Sequence, residues 1–192
     1  ARYRHLANAM PQLVWTSTPD GVLDYYNSRV AEYAGIVRTE EGSWDWQLVV
    51  HPDELQRTLE AWQDALRNGQ QYTCEHRIQM KDGEFRWHLS RAIPAQDLDG
   101  NIIKWFGTAT NIDQQYRSAQ DARCLADIGE IIRLNTDAQT MLSRLTRVLG
   151  EYLHVRRCMV IEIDLARNLG IILQQHCRGV PPVAPEYQLT EY

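Results

Sequence analysis

The chain has 192 residues, with 20 basic and 25 acidic side chains and a formal net charge of −5 at pH 7. This length suits one or two ordinary domains. The sequence shows no concentrated basic face for phosphates, which argues against a nucleic-acid-binding module, and no run of about 18 apolar residues that could span a bilayer. All six tryptophans lie within the first 105 residues, so the two halves of the chain are expected to be built differently.

Charge and cysteine content support this division. Residues 1–113 carry 11 basic and 16 acidic side chains, whereas residues 114–192 carry nine of each. The cysteines are Cys74, Cys124, Cys158 and Cys177. They form no Cys-x-x-Cys pair, which argues against a zinc knuckle, a dithiol redox motif or a disulfide scaffold and favours a reducing cytoplasm. Because the sequence begins without Met and ends without a closing signal, we expect a piece of a longer protein.

The first segments predict a short lead-in helix and then a β-hairpin. Residues 13–16 and 22–26 are rich in strand-forming side chains, and Pro19-Asp20-Gly21 between them has the residue types that turns require. Asn27-Ser28 can cap a short helix over residues 29–34.

A longer helix is predicted from His51 to Gly69. Pro52 suits the first helical turn, and Asp53 and Glu54 complement the helix dipole. An apolar stripe follows at helical spacing, formed by Leu55, Leu59, Trp62 and Leu66. His51 could in principle ligate haem, but its place directly before Pro-Asp-Glu favours a role in starting the helix.

Three strands are predicted over residues 71–80, 84–95 and 101–111. Two Asp-Gly turns separate them, and Asp-Gly between strand-forming runs is a strong hairpin signal. Alternation predicts two sets of core-facing side chains: Tyr72, Cys74, His76 and Ile78 in the first strand, and Phe85, Trp87 and Leu89 in the second. The fold class is therefore α+β, an antiparallel sheet with helices on one face, spanning about 110 residues.

The second half begins with an amphipathic helix over residues 114–134. Apolar side chains recur there at three- and four-residue steps, at Tyr116, Ala119, Ala122, Leu125, Ile128 and Ile132. So short a repeat is compatible with a two-chain coiled coil and with a helix packed on its own domain. Thr136 and Gln139 form a capping box that opens another helix, and residues 158–164 and 170–177 are predicted strands.

No catalytic constellation is predicted. The sequence has no Gly-rich phosphate loop, no Gly-x-Ser-x-Gly elbow and no His-Glu-x-x-His motif. His76 and His88 fall on strands without a second ligand at metal spacing, so no metal site is predicted.

Aromatic residues suggest a pocket. A small molecule could bind among the side chains of Trp15, Tyr25, Trp46, Trp62, His76 and Trp87. Large aromatic side chains also fill ordinary cores, so plain packing is the competing interpretation. No cofactor is required by the sequence.

Several spaced motifs lie within residues 4–114. They are Pro19-Asp20-Gly21, Tyr26-Asn27, Glu32-Tyr33-Ala34-Gly35, Val50-His51-Pro52-Asp53-Glu54, Tyr72 to Arg77, Asp82-Gly83-Glu84-Phe85-Arg86-Trp87, Trp105-Phe106-Gly107-Thr108 and Asn111-Ile112-Asp113. In this order the motifs resemble PAS sensory domains, most closely the subgroup common in bacterial histidine kinases and cyclic-dinucleotide enzymes. The resemblance implies that the junction at Asn111 and Asp113 passes signals from the core to the next helix. Asp113 could equally act only as a helix cap. The reactive Asn-Cys-Arg motif of light-oxygen-voltage domains is absent.

The last segment has two further motifs, from Val155 to Asp164 and from His176 to Pro181. Together with the helix before them, these motifs resemble the opening of a GAF domain. The predicted domains are therefore a PAS domain at 1–113, a linker or signalling helix at 114–134, and the N-terminal part of a GAF domain, an incomplete α/β unit, at 135–192.

These features predict a cytoplasmic sensory and dimerisation segment of a bacterial signalling protein, most simply a histidine kinase of a two-component system. The segment itself is not expected to be an enzyme. Its expected partners are a second copy, through Leu125, Ile128 and Ile132 of the linker helix, a downstream kinase or other output domain, and a small-molecule ligand. The alternatives are a sensor for a cyclic-dinucleotide cyclase or phosphodiesterase, a cofactor-binding photoreceptor or redox sensor, and a ligand-free assembly module.

Overall fold

The computed structural model describes residues 2–134 and 137–189. The chain divides into two compact units, which are residues 1–116 (unit 1) and residues 117–192 (unit 2). Within the described residues, no helix is long and apolar enough to cross a membrane.

Unit 1 contains the helices and strands predicted for the first half, together with one small additional hairpin. Its elements are α1 (Arg2–Ala9), β1 (Leu13–Ser17), β2 (Leu23–Tyr26), β3 (Val37–Arg38), β4 (Trp44–Asp45), α2 (Pro52–Asn68), β5 (Tyr72–Gln79), β6 (Phe85–Gln96), β7 (Ile102–Asn111) and the start of α3 (Asp113–Leu134). The predicted short helix over residues 29–34 is a 3₁₀ helix, Ser28–Glu32. A second 3₁₀ helix, Gln47–Val49, precedes α2.

A five-stranded antiparallel sheet in the order β2-β1-β7-β6-β5 organises unit 1. Helix α2 contributes Trp62 and Ala65 to the core. Gly69 ends α2 with a φ of 61°, in the left-handed region where glycine avoids the steric cost of a side chain. The predicted α+β fold, an antiparallel sheet with helices, is confirmed.

The predicted core-facing residues are right for β5 and wrong for β6. In β5 the inward side chains are buried and alternate as predicted. In β6 the buried positions are His88, Ser90 and Ala92, so the predicted residues Phe85, Trp87 and Leu89 lie on the opposite face of the sheet. The polar His88 and Ser90 can point inward because each finds a hydrogen-bond partner there.

Unit 2 contains most of α3, α4 (Ala138–Tyr152), β8 (Arg157–Asp164), β9 (Leu169–Cys177) and β10 (Glu186–Gln188). The strands form an antiparallel sheet in the order β10-β9-β8. Helix α4 packs on β8 and β9, where a Cβ added at Gly150 would lie 2.9 Å from His176. The predicted cap Thr136 lies outside the described residues. Asp137 is the N-cap of α4, and its carboxylate accepts a 2.8 Å hydrogen bond from the Thr140 amide.

Candidate functional site

A cavity of about 50 Å³ lies within the core of unit 1. Four of the six residues predicted to form a pocket line it: Trp15, Trp46, Trp62 and His76. The residues that line the cavity but were missed in the sequence include Tyr26, Tyr72 and Ser90. Alternation along β5 and β6 would have found Tyr72 and Ser90 once the inward parity of each strand was known. It would not have sufficed for β2, where Leu23 and Tyr26 have opposite parity and both line the cavity.

Two residues of the predicted pocket, Tyr25 and Trp87, do not line the cavity. In β2 the inward residue is Tyr26, and neighbouring side chains on a strand point to opposite faces. Tyr25 is half-buried, with the Arg4 guanidinium 6.0 Å from its ring centroid. The Trp87 ring lies on the outer face of the sheet for the same reason of parity.

Most of the aromatic cluster is packed core. The Trp62 ring makes edge contacts with three other rings, at centroid distances of 5.6 Å to Trp15, 5.2 Å to Tyr72 and 5.3 Å to Trp105. Such edge-to-face pairs stabilise a core beyond the area that they bury. The cavity is the small space that this packing leaves.

One glycine makes the position of Trp15 sterically possible. Gly107 pairs with Trp15 across β1 and β7, and a Cβ built on Gly107 would lie 2.2 Å from the Trp15 ring. The indole therefore lies directly on the backbone of β7. A larger residue at position 107 would force Trp15 into the cavity or out of the core.

A buried hydrogen-bond chain runs from Thr58 to His76 and Ser90, and the last two of these line the cavity. The Thr58 hydroxyl donates to the Glu54 carbonyl at 2.8 Å, so it can only accept from His76 Nδ1, 3.1 Å away. His76 is therefore the Nδ1–H tautomer. Its Nε2 accepts from the Ser90 hydroxyl at 2.8 Å.

His88 has the same tautomer through different partners. Its Nδ1 donates to the Arg86 carbonyl at 2.8 Å, and its Nε2 accepts from the Tyr33 hydroxyl at 3.0 Å. His88 lies directly opposite His76 in the β5–β6 register. The two buried histidines thus use both ring nitrogens without a metal ion.

Burial keeps both rings neutral at pH 7. Desolvation, together with the neighbouring His88, lowers the pKa of His76 to about 4, and desolvation also lowers the pKa of His88. Burial raises the pKa of Tyr33 to about 12, so its hydroxyl remains a donor. Among the described residues, no Asp, Glu, Lys or Arg lines the cavity.

The cavity does not fit a large cofactor in this conformation. An apolar cavity that accepts benzene measures about 150 Å³, three times the 50 Å³ present. Flavin and haem are much larger than benzene, so either would require the aromatic core to repack.

His51, Asp53 and Glu54 bring ligand-type atoms within 4.8 Å of one another, but a guanidinium already compensates their charge. Arg77 donates to Glu54 at 2.9 and 2.5 Å and to Asp53 at 3.2 Å. These hydrogen bonds lower the pKa of Glu54. His51 Nδ1 accepts from the Asp53 amide at 3.2 Å, which confirms its predicted role at the start of α2.

The junction between β7 and α3 is attached to β6 through the backbone of Trp87. The Trp87 amide donates to Asp113 Oδ1 at 3.3 Å, and the Trp87 carbonyl accepts from the Ile112 amide at 2.8 Å. Asn111 Oδ1 accepts from the Asp113 amide at 3.0 Å. Asp113 therefore begins α3 and also accepts a hydrogen bond from the backbone of β6, at a residue that lies 26 positions earlier in the chain.

Side chains on the outer face of the sheet reinforce this junction. The Trp87 ring stacks on Tyr116, and the Arg77 guanidinium lies 5.5 Å from the Trp87 ring centroid. The Tyr116 hydroxyl donates to Glu75 at 3.4 Å. The start of α2 and the start of α3 are thus connected through Arg77, Trp87 and Tyr116.

The three residues predicted to form a dimer seam differ in exposure. Leu125 and Ile132 are 68% and 56% exposed, and Ile128 is half-buried. On the same helix Cys124 and Ile131 are buried. Helix α3 therefore has one buried stripe and, beside it, an apolar stripe in solvent.

Comparisons with known proteins agree with this architecture. Residues 23–109 match the family described as PAS fold. The chain is 31% identical over 113 residues to the uncharacterized protein y4lL of Sinorhizobium fredii, which covers 59% of this chain and 14% of that protein. It is 30% identical over 111 residues to the peroxide stress-activated histidine kinase mak1 of Schizosaccharomyces pombe, covering 57% and 7% of the two chains.

A solved structure is similar in fold. It is described as an RNA-binding light-oxygen-voltage receptor, with a TM-score of 0.52 and 19% identity over 65% of this chain and 36% of that one. The chain spans only a small part of the curated relatives that it matches. The sheet order and the core of unit 1 agree with the match of residues 23–109 to the PAS fold.

Proposed function

We propose that this chain is the sensory and dimerisation segment of a cytoplasmic, multidomain signalling protein with a histidine kinase output in a two-component system. A relative named as a histidine kinase contains the matching segment as 7% of its length, which supports a modular role. The proposed domains are a PAS domain at 1–113, a signalling helix at 114–134 and the N-terminal part of a GAF domain at 135–192.

The junction at Asp113 is the observation that carries this proposal. Strand β7 borders the cavity through Ala109 and leads within a few residues into α3. Because Asp113 and Tyr116 are both attached to Trp87, a shift between β6 and β7 must change the direction or stability of the first turn of α3. A ligand that favours one arrangement of the core would thereby shift the population of helix states.

Dimerisation is proposed through the exposed stripe of α3. Leu125 and Ile132 are one heptad apart, with Ile128 between them, which is the spacing of a two-helix seam. Exposed apolar side chains at this spacing gain burial when a second copy aligns beside them.

Two measurements test the proposal. Sedimentation of the chain should show a monomer–dimer equilibrium that Leu125→Asp and Ile132→Asp shift to monomer, whereas the control Leu165→Asp, at another exposed leucine, leaves it unchanged. A wild-type chain that stays monomeric at high concentration would reject the dimer. In the intact parent protein, Asp113→Ala should change the rate of autophosphorylation, while Asp99→Ala in an exposed turn should not.

A ligand-free assembly module is the second candidate, and the small cavity favours it. The two candidates differ in one respect. Filling the cavity by Ala109→Val should abolish the response of a ligand sensor to its stimulus and should leave an assembly module active.

A further inference from the structure

The part of the cavity wall formed by His76 and Ser90 has a fixed hydrogen-bond polarity. The only hydrogen of the Thr58 hydroxyl goes to the Glu54 carbonyl, so His76 must donate from Nδ1 and accept at Nε2. The Ser90 hydroxyl must then give its hydrogen to His76. Ser90 Oγ therefore presents only lone pairs to the cavity that it lines.

Burial makes this polarity strict. His76 and Ser90 are 3% and 4% exposed, so water cannot readily substitute for a missing partner. Within the described part of the chain, His76 is the only hydrogen-bond partner of Ser90 Oγ. A ligand group that meets this oxygen has to be a donor, because two acceptors facing each other in a buried site repel.

The cavity also disfavours charged ligands and large ligands. Its remaining wall is mainly aromatic and aliphatic, with no charged side chain among the described residues, and an unpaired ion would be costly to bury there. A volume of about 50 Å³ accommodates only a few non-hydrogen atoms.

We infer that the cavity of unit 1 binds a small neutral molecule that donates one O–H or N–H hydrogen bond to Ser90 Oγ and places its apolar part against Trp15 and Trp62. This inference rests on the proposed role of the cavity as the sensing site. It adds the chemical class of the ligand, a compact alcohol or similar neutral donor.

A matched pair of probes tests the inference. 2-Propanol and acetone share one carbon skeleton and differ in that only 2-propanol can donate. Each is titrated into the wild-type chain, and binding is followed by amide and indole chemical shifts in NMR spectra. We expect 2-propanol to bind roughly 3- to 10-fold more tightly than acetone, since one hydrogen bond distinguishes them.

Three variants locate the effect. Ser90→Ala should remove the preference, Ser90→Thr should retain it because the hydroxyl remains, and Ala109→Val should abolish the binding of both probes by filling the cavity. If Ser90→Ala fails to fold, the wild-type comparison and Ser90→Thr still decide. Long-range ¹H–¹⁵N spectra of His76 should also show the Nδ1–H tautomer.

The outcomes separate this inference from the proposed function. Equal affinity for the two probes, a preference for acetone, or a His76 ring protonated at Nε2 would overturn the inference that the ligand donates a hydrogen bond to Ser90 Oγ. Each of these results would leave the cavity as a possible sensing site. Binding of neither probe in the cavity would overturn the ligand inference together with the cavity as a sensing site. The kinase output is tested separately by the autophosphorylation of the parent protein.

Discussion

The indole ring of Trp87 and the phenol ring of Tyr116 lie face to face, with centroids 4.6 Å apart and planes within 8° of parallel. One ring belongs to a central strand of the sheet and the other to the first turn of the helix that leaves unit 1. This stack sits outside the core, so it is a contact that can be altered without opening the cavity.

Replacing Tyr116 tests how strongly the stack holds the first turn of α3. Tyr116→Leu should lower the free energy of unfolding of unit 1 by about 1 kcal/mol and speed hydrogen exchange in that turn, because the aromatic pair is lost. Tyr116→Phe is the matched control, since it retains the ring and loses only the long contact with Glu75. Identical exchange rates in the Leu and Phe variants would show that the stack does not hold the helix.

Gly107→Ala tests the contact between Trp15 and the backbone of β7. The added Cβ would lie 2.2 Å from the indole, so we expect urea denaturation to show a loss of about 1–3 kcal/mol. Gly129→Ala on α3 is the control. A Cβ there meets nothing within 4 Å, and alanine should raise helix stability by about 0.5–1 kcal/mol. If the Gly107→Ala variant has the same free energy of unfolding as the wild type, then Trp15 can move at little cost.

Acid should destabilise unit 1 through His76. The pKa of this ring falls from 6.5 to about 4 on folding, so the unfolded chain binds the proton more readily between those values. The contribution of the neutral His76 ring to the free energy of unfolding is therefore present above pH 6.5 and is lost as the pH falls toward 4. The expected loss between pH 7 and pH 5 is on the order of 2 kcal/mol. The lowered pKa of His88 acts in the same direction.

Urea denaturation at several pH values checks this expectation. The His76→Asn variant should show a clearly flatter dependence of unfolding free energy on pH than the wild type. Parallel profiles for the two proteins would assign the acid sensitivity to other groups.

Arg77→Lys tests the ion pair at the start of α2. Lysine cannot reproduce the two hydrogen bonds to Glu54 or the planar contact with Trp87, so we expect a loss of about 1–2 kcal/mol at pH 7. Arg67→Lys is the control, because Arg67 pairs with Asp64 in solvent and such pairs contribute little. Equal effects of the two substitutions in thermal denaturation would contradict a special role for Arg77.

The strands bounded by Asp-Gly turns and the helix that begins after His51 could be predicted because their signals are local. Turn residues and helix caps act within four residues of the chain, and the structure has these elements within a few residues of the predicted bounds. The hairpin of β3 and β4 and the short β10 were missed, since strands of two or three residues have too few side chains to show alternation.

The inward face of β6 could not be predicted from hydrophobicity. Its hydrophobic side chains, such as Trp87, suggest the wrong face for the core. His88 and Ser90 are buried instead, because Tyr33 bonds His88 and His76 bonds Ser90. Those partners are 55 and 14 residues away in the chain. Likewise, the bond from the Trp87 amide to Asp113 depends on a register that exists only after the sheet forms.

The close packing of Trp15, Trp62 and Trp105 has an optical consequence. Indoles whose centroids lie 5.6 and 5.3 Å apart couple their electronic transitions, so the folded unit should have a strong near-ultraviolet circular dichroism signal that depends on ring orientation. Since unit 2 contains no tryptophan, the tryptophan part of this signal reports on unit 1 alone. The chain therefore contains its own label-free reporter of changes around the cavity.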